Sequence, residues 1–279
     1  MTPVAFMFCA FGLSLAAGVL GALLGLGGGI IVVPALTLLL GVDIRYAIGA
    51  SIVSVIATSS GAGAAYVKEH LANIRVAMVL ELATTTGALG GAFVAGAIAG
   101  RWLYLIFAAA LTYAAVAMWR KRALTGVERD APDRIADALN LHGSYFDQRT
   151  GKERPYRVAR TPVGLVLSGV AGVLSGLLGI GGGLIKVPAM ALGMGIPIKV
   201  ASATSNFMIG VTAAASAGVY FTRGDIDPFV AAPTALGVLG GSVVGARLIG
   251  RVRGSALRAA FTLVLAVVAV EMLLKGLKG

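Results

Sequence analysis

Cysteine is almost missing from this chain: Cys9 is the one cysteine in 279 residues. An intramolecular disulfide and a cysteine-built zinc site are thereby excluded. Histidine is nearly as scarce, and His70 and His142 lack the helical spacing that lets two imidazoles share a metal. Charge is sparse as well. Asp, Glu, Lys and Arg make up 13% of the residues, against roughly 25% in an ordinary soluble domain. Hydrophobic residues make up 58%, and the mean hydropathy is +0.91. Such a composition belongs to an integral membrane protein. No nucleophile and base stand at a spacing that suggests an intramembrane enzyme, and no cofactor motif is present.

What the chain has is apolar length. Apolar stretches run over about 4–24, 30–41, 46–66, 76–99, 102–119, 162–180, 184–196, 200–221, 228–246 and 255–274. A helix needs roughly 20 residues to cross a ~30 Å hydrocarbon core. Most stretches reach that length; the second and seventh, at about 12 residues, do not. Each of these two follows three consecutive glycines, so each is expected to be a half-helix or a re-entrant limb. The N-terminus lacks the positive region of a secretory signal and is read as part of the fold.

The formal charge of +11 does not point to nucleic acid, because of where the charges lie. Ten of the 23 Lys and Arg residues fall between Arg120 and Arg160, beside six of the 12 acids. The segment reads as a solvated loop on the cytoplasmic side. Within it, "RDAPDRIADALNLHG" suggests a short helix. "GSYFDQRTGKERPYRV" has Gly151 between two Tyr-bearing strands, a hairpin pattern.

The two sides of this loop are copies of one another. Residues 18–35, "GVLGALLGLGGGIIVVPA", align with 172–189, "GVLSGLLGIGGGLIKVPA", giving 13 identities in 18 positions. At the same offset Ala47, Ser51, Thr58 and Tyr66 meet Ala201, Ser205, Thr212 and Tyr220. A four-residue deletion then places Leu89, Gly90 and Gly91 on Leu239, Gly240 and Gly241. The expected organisation is a first membrane repeat over 1–120, a cytoplasmic linker over 121–160 and a second repeat over 161–279. In each half the first two elements return the chain to its starting side and three spans follow. With the linker inside, the halves are inverted, as in many secondary transporters. The fold expected is an all-α membrane bundle of two five-element inverted halves, with about 8 to 10 transmembrane segments.

Glycines in series free the backbone for left-handed or extended conformations and break a helix. At membrane depth such a break is tolerated where it is buried in protein or lines a cavity. The half-helix after it aims unpaired N–H groups and a positive dipole end at whatever lies in the gap, which favours an anion. Gly27, Gly28 and Gly29 in one half, and Gly181, Gly182 and Gly183 in the other, are thus candidates for a substrate cradle near the midplane. The competing use of such glycines is close helix packing, which suits Gly18, Gly21, Gly25, Gly172, Gly176 and Gly179. A nucleotide-binding reading is weak, since no strand precedes "GLGGG".

Three further features carry chemistry. Lys186 lies in the second short limb, where its repeat counterpart is Val32. It either attracts the anion or snorkels to the interface. Ser51, Thr204, Ser205 and Asn206 lie closest to the depth expected for the glycine breaks, as hydrogen-bond donors to a solute or as interhelical glue. Glu81 is the one carboxylate well inside a span, a candidate proton carrier or partner of a cation. The implied partners are a small anionic substrate and lipid, without nucleic acid; a homodimer is open.

The paired GxGGG-x4-P motifs, "ASATSN" at 201–206, the "LHGSYFD" linker and the length together make the chain resemble the sulfite exporter TauE/SafE family of membrane permeases. The resemblance runs over almost the whole chain. It implies secondary transport of small sulfur-containing anions, such as sulfite and organosulfonates, across the cell membrane. An anion channel of the same architecture is the alternative. The first half departs from the pattern, since "GASIVS" at 49–54 has no Asn where the second half has "ATSN".

Overall fold

A computed structural model describes residues 2–24, 28–68, 71–120, 133–147, 151–248 and 254–278. Its helices follow the apolar stretches. The first half comprises α1 (Pro3–Leu24), the short α2 (Gly29–Pro34), α3 (Ile44–Lys68), α4 (Ile74–Ala97) and α5 (Gly100–Arg120). The second half repeats them as α7 (Thr161–Leu178), the short α8 (Gly183–Pro188), α9 (Ile198–Thr222), α10 (Pro228–Leu248) and α11 (Gly254–Lys278). The linker contributes α6 (Arg134–Ala138) and the strands β1 (Gly143–Asp147) and β2 (Lys152–Tyr156). An all-α description therefore holds for the repeats, and the linker adds a two-stranded antiparallel hairpin with Gly143 opposite Tyr156 and Asp147 opposite Lys152.

The helices put apolar side chains outward as well as inward. Leu82, Phe93, Val166, Phe221 and Leu236 are all well exposed, which water would penalise and lipid does not. Among the described residues, four segments are long and apolar enough to cross a membrane: Pro3–Ala22, Ile74–Ala97, Thr161–Leu178 and Pro228–Gly245.

Each short limb is built the same way. Pro34 and Pro188 have no N–H to give to the preceding turn, and the ladder widens after each into a π-helical stretch, Ala35–Leu39 and Ala189–Gly193. The stretches close alike. Val42 N donates to Leu36 O at 3.1 Å and Ile196 N to Met190 O at 3.0 Å. Gly41 and Gly195 supply the left-handed turn, with φ of +68° and +73°.

The halves interlock by exchange. α1 packs on α10 and its counterpart α7 on α4; α3 packs on α10 and its counterpart α9 on α4; α3 meets α9, and α5 meets α11. Glycine makes the first of these interfaces possible. A Cβ at Gly172 or Gly176 would collide with the carbonyls of Thr84 or Ala88, and one at Gly18 with that of Val238. Backbones in such contact gain dispersion where no hydrophobic drive separates helix from lipid.

The linker sits on the helix ends nearest it. A two-stranded hairpin is marginal alone, but Leu141, Tyr156 and Val158 are buried with Val76, Leu80, Met194 and Ile196. Asn73 ties the junction together. Its side chain caps α4 at Val76 N, and its amide donates to Leu141 O and to the Tyr156 hydroxyl at 2.9 and 2.8 Å. Asp133 caps two helices, accepting from Ile135 N and Ala136 N of α6 and from Thr161 N of α7 at 2.6 Å.

Candidate functional site

An isolated charge inside an apolar bundle is costly, so its partner defines the site. Lys186, one turn into α8, is 0% exposed. It does not snorkel. Its ammonium donates to Thr212 Oγ1 at 2.7 Å, and Thr212 donates onward to Glu81 Oε1 at 2.6 Å. Glu81 Oε2 lies 3.8 Å from Lys186 Nζ. The carboxylate also accepts from Thr85 at 3.1 Å and lies 3.3 Å from the Thr84 hydroxyl. The pair thus joins α4, α8 and α9 through one threonine.

The repeat-related positions carry no charge. Val32 stands where Lys186 does, and the alignment that matches Gly91 with Gly241 puts Ala231 opposite Glu81. Both are buried, and Thr58, the counterpart of Thr212, donates only to its own helix at Ser54 O. At the repeat-related positions the fold buries two apolar side chains instead of an ion pair.

The glycine tracts adjoin one another. Gly179, Gly181 and Gly182 hold φ of +66°, +74° and +71°, so the chain unwinds between α7 and α8, and α8 starts at Gly183. In the first half Gly27 lies outside the described residues. Gly28 is in the right-handed helical region at φ −68° and Gly29 opens α2, so the described part of this tract is helical rather than unwound. A Cβ on Gly29 would stand 2.7 Å from Gly179 O. The two tracts touch.

The four polar candidates divide. Ser51 gives its hydroxyl to Gly179 O at 2.8 Å and Gly29 O at 3.3 Å, so it staples the tracts together. Its counterpart Ser205 is 0% exposed, and its hydroxyl has no hydrogen-bond partner among the described residues. Ser205 and Thr212 are seven residues apart on α9 and share a face. Thr204 lies at the linker junction, where its hydroxyl accepts from Asn73 N at 2.9 Å. Asn206 is buried, and its backbone carbonyl accepts from Ser59 Oγ at 2.6 Å across the α3–α9 contact.

The profile described as sulfite exporter TauE/SafE matches residues 10–272, both halves and the linker between them. The chain belongs to this family. A relative from Bacillus subtilis (strain 168), called "Probable membrane transporter protein YunE", is 26% identical over 272 residues, which is 95% of this chain and 96% of the relative. No solved structure matches. The protein is thus a multi-pass membrane transporter of the TauE/SafE type, a class of permeases rather than enzymes.

In this transporter the cavity and the charges lie on different sides of the glycine break. A cleft of about 300 Å³ runs between Ile106, Ala110 and Tyr113 of α5 and Leu174, Gly182 and Ile185. It is lined by apolar groups and has little to offer a charge. On the other side of Gly182, a Cβ would meet Lys186 Cε at 3.4 Å. Charged hydrogen-bonding groups are at the ion pair and not in this cleft.

Sequence reasoning placed Lys186 and Glu81 as separate candidates and did not join them. It also passed over Thr84, Thr85 and the bridging role of Thr212. One signal was present. Two lone charges of opposite sign in apolar segments have no cheaper partner than each other.

Proposed function

We propose that this protein is a secondary transporter of small sulfur-containing anions, such as sulfite or organosulfonates, with Lys186 as the cation of its binding site. The observation that carries the reading is a buried ammonium that is only partly satisfied. An ammonium has three donors, and among the described residues Lys186 hydrogen-bonds only to Thr212. Unused donors on a buried cation favour an anionic oxygen.

The site takes in the glycine tracts, Ser205 and Asn206, with the transported anion held between the two halves. The α-helical part of each short limb is six residues, so its dipole is small and the ammonium supplies most of the attraction. Inverted halves support alternating access: Ser51 holds the tracts against each other in one state, and rocking of the halves separates them. The substrate class rests on membership of the family. The organisation that accompanies this reading is repeats over 1–120 and 161–279, 8 to 10 spans, and the 121–160 linker on the cytoplasmic face of the cell membrane. The linker's crowd of basic residues supports that orientation.

Flux into liposomes tests it. Purified protein should move sulfite or ethanesulfonate, and a pH gradient should drive accumulation above equilibrium. Flux that only equilibrates would indicate an anion channel of the same architecture, and no flux of sulfite, sulfonates, sulfate or carboxylates would reject the reading.

A further inference from the structure

We propose that Glu81 is a built-in competitor of the transported anion: it balances Lys186 when no solute is bound, and it takes up a proton and yields Lys186 as the anion arrives. The inference rests on Lys186 being the anion-binding cation, and it names the coupling ion of that same site.

The two partners are unequally provided for. Among the described residues Lys186 has one hydrogen bond, to Thr212, and it stands 3.8 Å from Glu81 Oε2, which balances its charge without filling its remaining donors. Glu81 sits among the hydroxyls of Thr84, Thr85 and Thr212. Hydroxyls both donate and accept, so they can hold a neutral carboxyl as well as a carboxylate. Protonation leaves Glu81 with partners; it leaves Lys186 without a counter-charge.

Among the described residues Glu81 and Lys186 form no other ion pair. Of the elements around α4, α7 has no ionisable side chain, α8 has Lys186 alone, and α9 has Lys199 in its first turn and Tyr220 in its last. Arg223 just beyond α9 donates to Ala92 O near the far end of α4, and the linker sets the Tyr156 hydroxyl on Asn73 at the near end. On α4 itself Arg75 lies in the first turn. An anion joining an ionised Glu81 would bury an uncompensated negative charge, whereas an anion joining a protonated Glu81 restores neutrality. One proton from water bonds to the Glu81 carboxylate, one anion pairs with Lys186, and the net charge of the cluster is unchanged for a monovalent solute. The Glu81 side chain keeps 13% exposure while that of Lys186 has none. The uncharged Val32 and Ala231, the repeat counterparts of Lys186 and Glu81, show that packing alone does not call for the pair.

The test is binding measured by calorimetry on wild type, Glu81→Gln and Lys186→Ala, between about pH 5 and pH 8. The probes are ethanesulfonate, sulfate and chloride, whose charges are constant in that range. Wild-type affinity should weaken about tenfold per pH unit once Glu81 is ionised. Glu81→Gln should bind at least as tightly as wild type does at low pH, with no slope; Lys186→Ala should lose tenfold or more throughout. A slope retained in Glu81→Gln overturns the competitor role and, if Lys186→Ala still loses binding, leaves the anion site standing. Unchanged binding in Lys186→Ala, or no binding of any probe to wild type, overturns both. Should Glu81→Gln fail to fold, infrared difference spectra of wild type decide: adding the bound probe must raise a protonated-carboxyl band, and its absence overturns the proposal.

Discussion

Gly29 and Gly179 belong to opposite halves of the chain, and a Cβ on the first would lie 2.7 Å from the carbonyl oxygen of the second. Ser51 donates to the carbonyls of both, at 3.3 and 2.8 Å. This contact is where the duplicated motifs meet, and the equivalent serines are used differently on its two sides.

Ser51→Ala should destabilise the protein by about 1–3 kcal/mol, because two buried carbonyls lose their donor. Ser205→Ala removes a buried hydroxyl that has no partner among the described residues, so its stability should match or exceed wild type. Thermal unfolding in detergent checks both. A drop in anion affinity in Ser205→Ala without loss of stability would mark that hydroxyl as a solute donor.

Breaking one side of the ion pair should cost more than removing both. Glu81→Ala or Lys186→Val alone leaves an unpaired buried charge, at about 3–5 kcal/mol. The double variant reproduces the residue types of the repeat counterparts, Ala231 and Val32, and should fall within about 1–2 kcal/mol of wild type while losing anion flux. A double-mutant cycle in denaturant, with flux measured in parallel, tests this. Additive losses would mean that the two charges do not interact.

Repeat-related glycines should respond alike. Gly18→Ala and Gly172→Ala each drive a methyl into a neighbouring helix carbonyl, and each should cost about 1–3 kcal/mol. Gly90 and Gly240, also repeat partners, face open space. Alanine there should be neutral or stabilise by up to about 1 kcal/mol through helix propensity. Melting temperatures of the four variants give the comparison.

Asp133 makes the linker's hold on α7 sensitive to acid. Burial pushes its carboxyl up, but backbone donors from Thr161, Ala136 and Ile135 outweigh this and hold it below the ordinary carboxylate value. A lowered folded-state value adds stability that is complete above the ordinary carboxylate range and lost as pH falls through the lowered one. Asp133→Ala should therefore cost about 1 kcal/mol at neutral pH and little in strong acid. Protease cleavage of the linker, followed against pH, would register the change.

Much of the architecture was legible in the residues. The apolar runs set the helices within a few residues, because burial in lipid or protein demands apolar side chains over the whole length of an element. The repeated GGG and Pro marked both short limbs, since glycine and proline alter the backbone itself. Gly151 between tyrosine-bearing segments marked the hairpin for the same reason. The candidate site was less legible. Ser51 and Thr204 looked like donors free for a solute, yet one holds Gly29 and Gly179 together and the other accepts from Asn73. A serine or threonine carries no record of which carbonyl or amide will lie across from it.

The sequence by itself determined that the chain is a duplicated membrane protein with broken helices and two lone charges, because composition, periodicity and backbone-altering residues act locally. Only the tertiary structure decided that these charges meet through Thr212 and that the glycine tracts touch. Such pairings depend on how α4, α8 and α9 cross in space, and the energy of a buried charge is set by what stands opposite it.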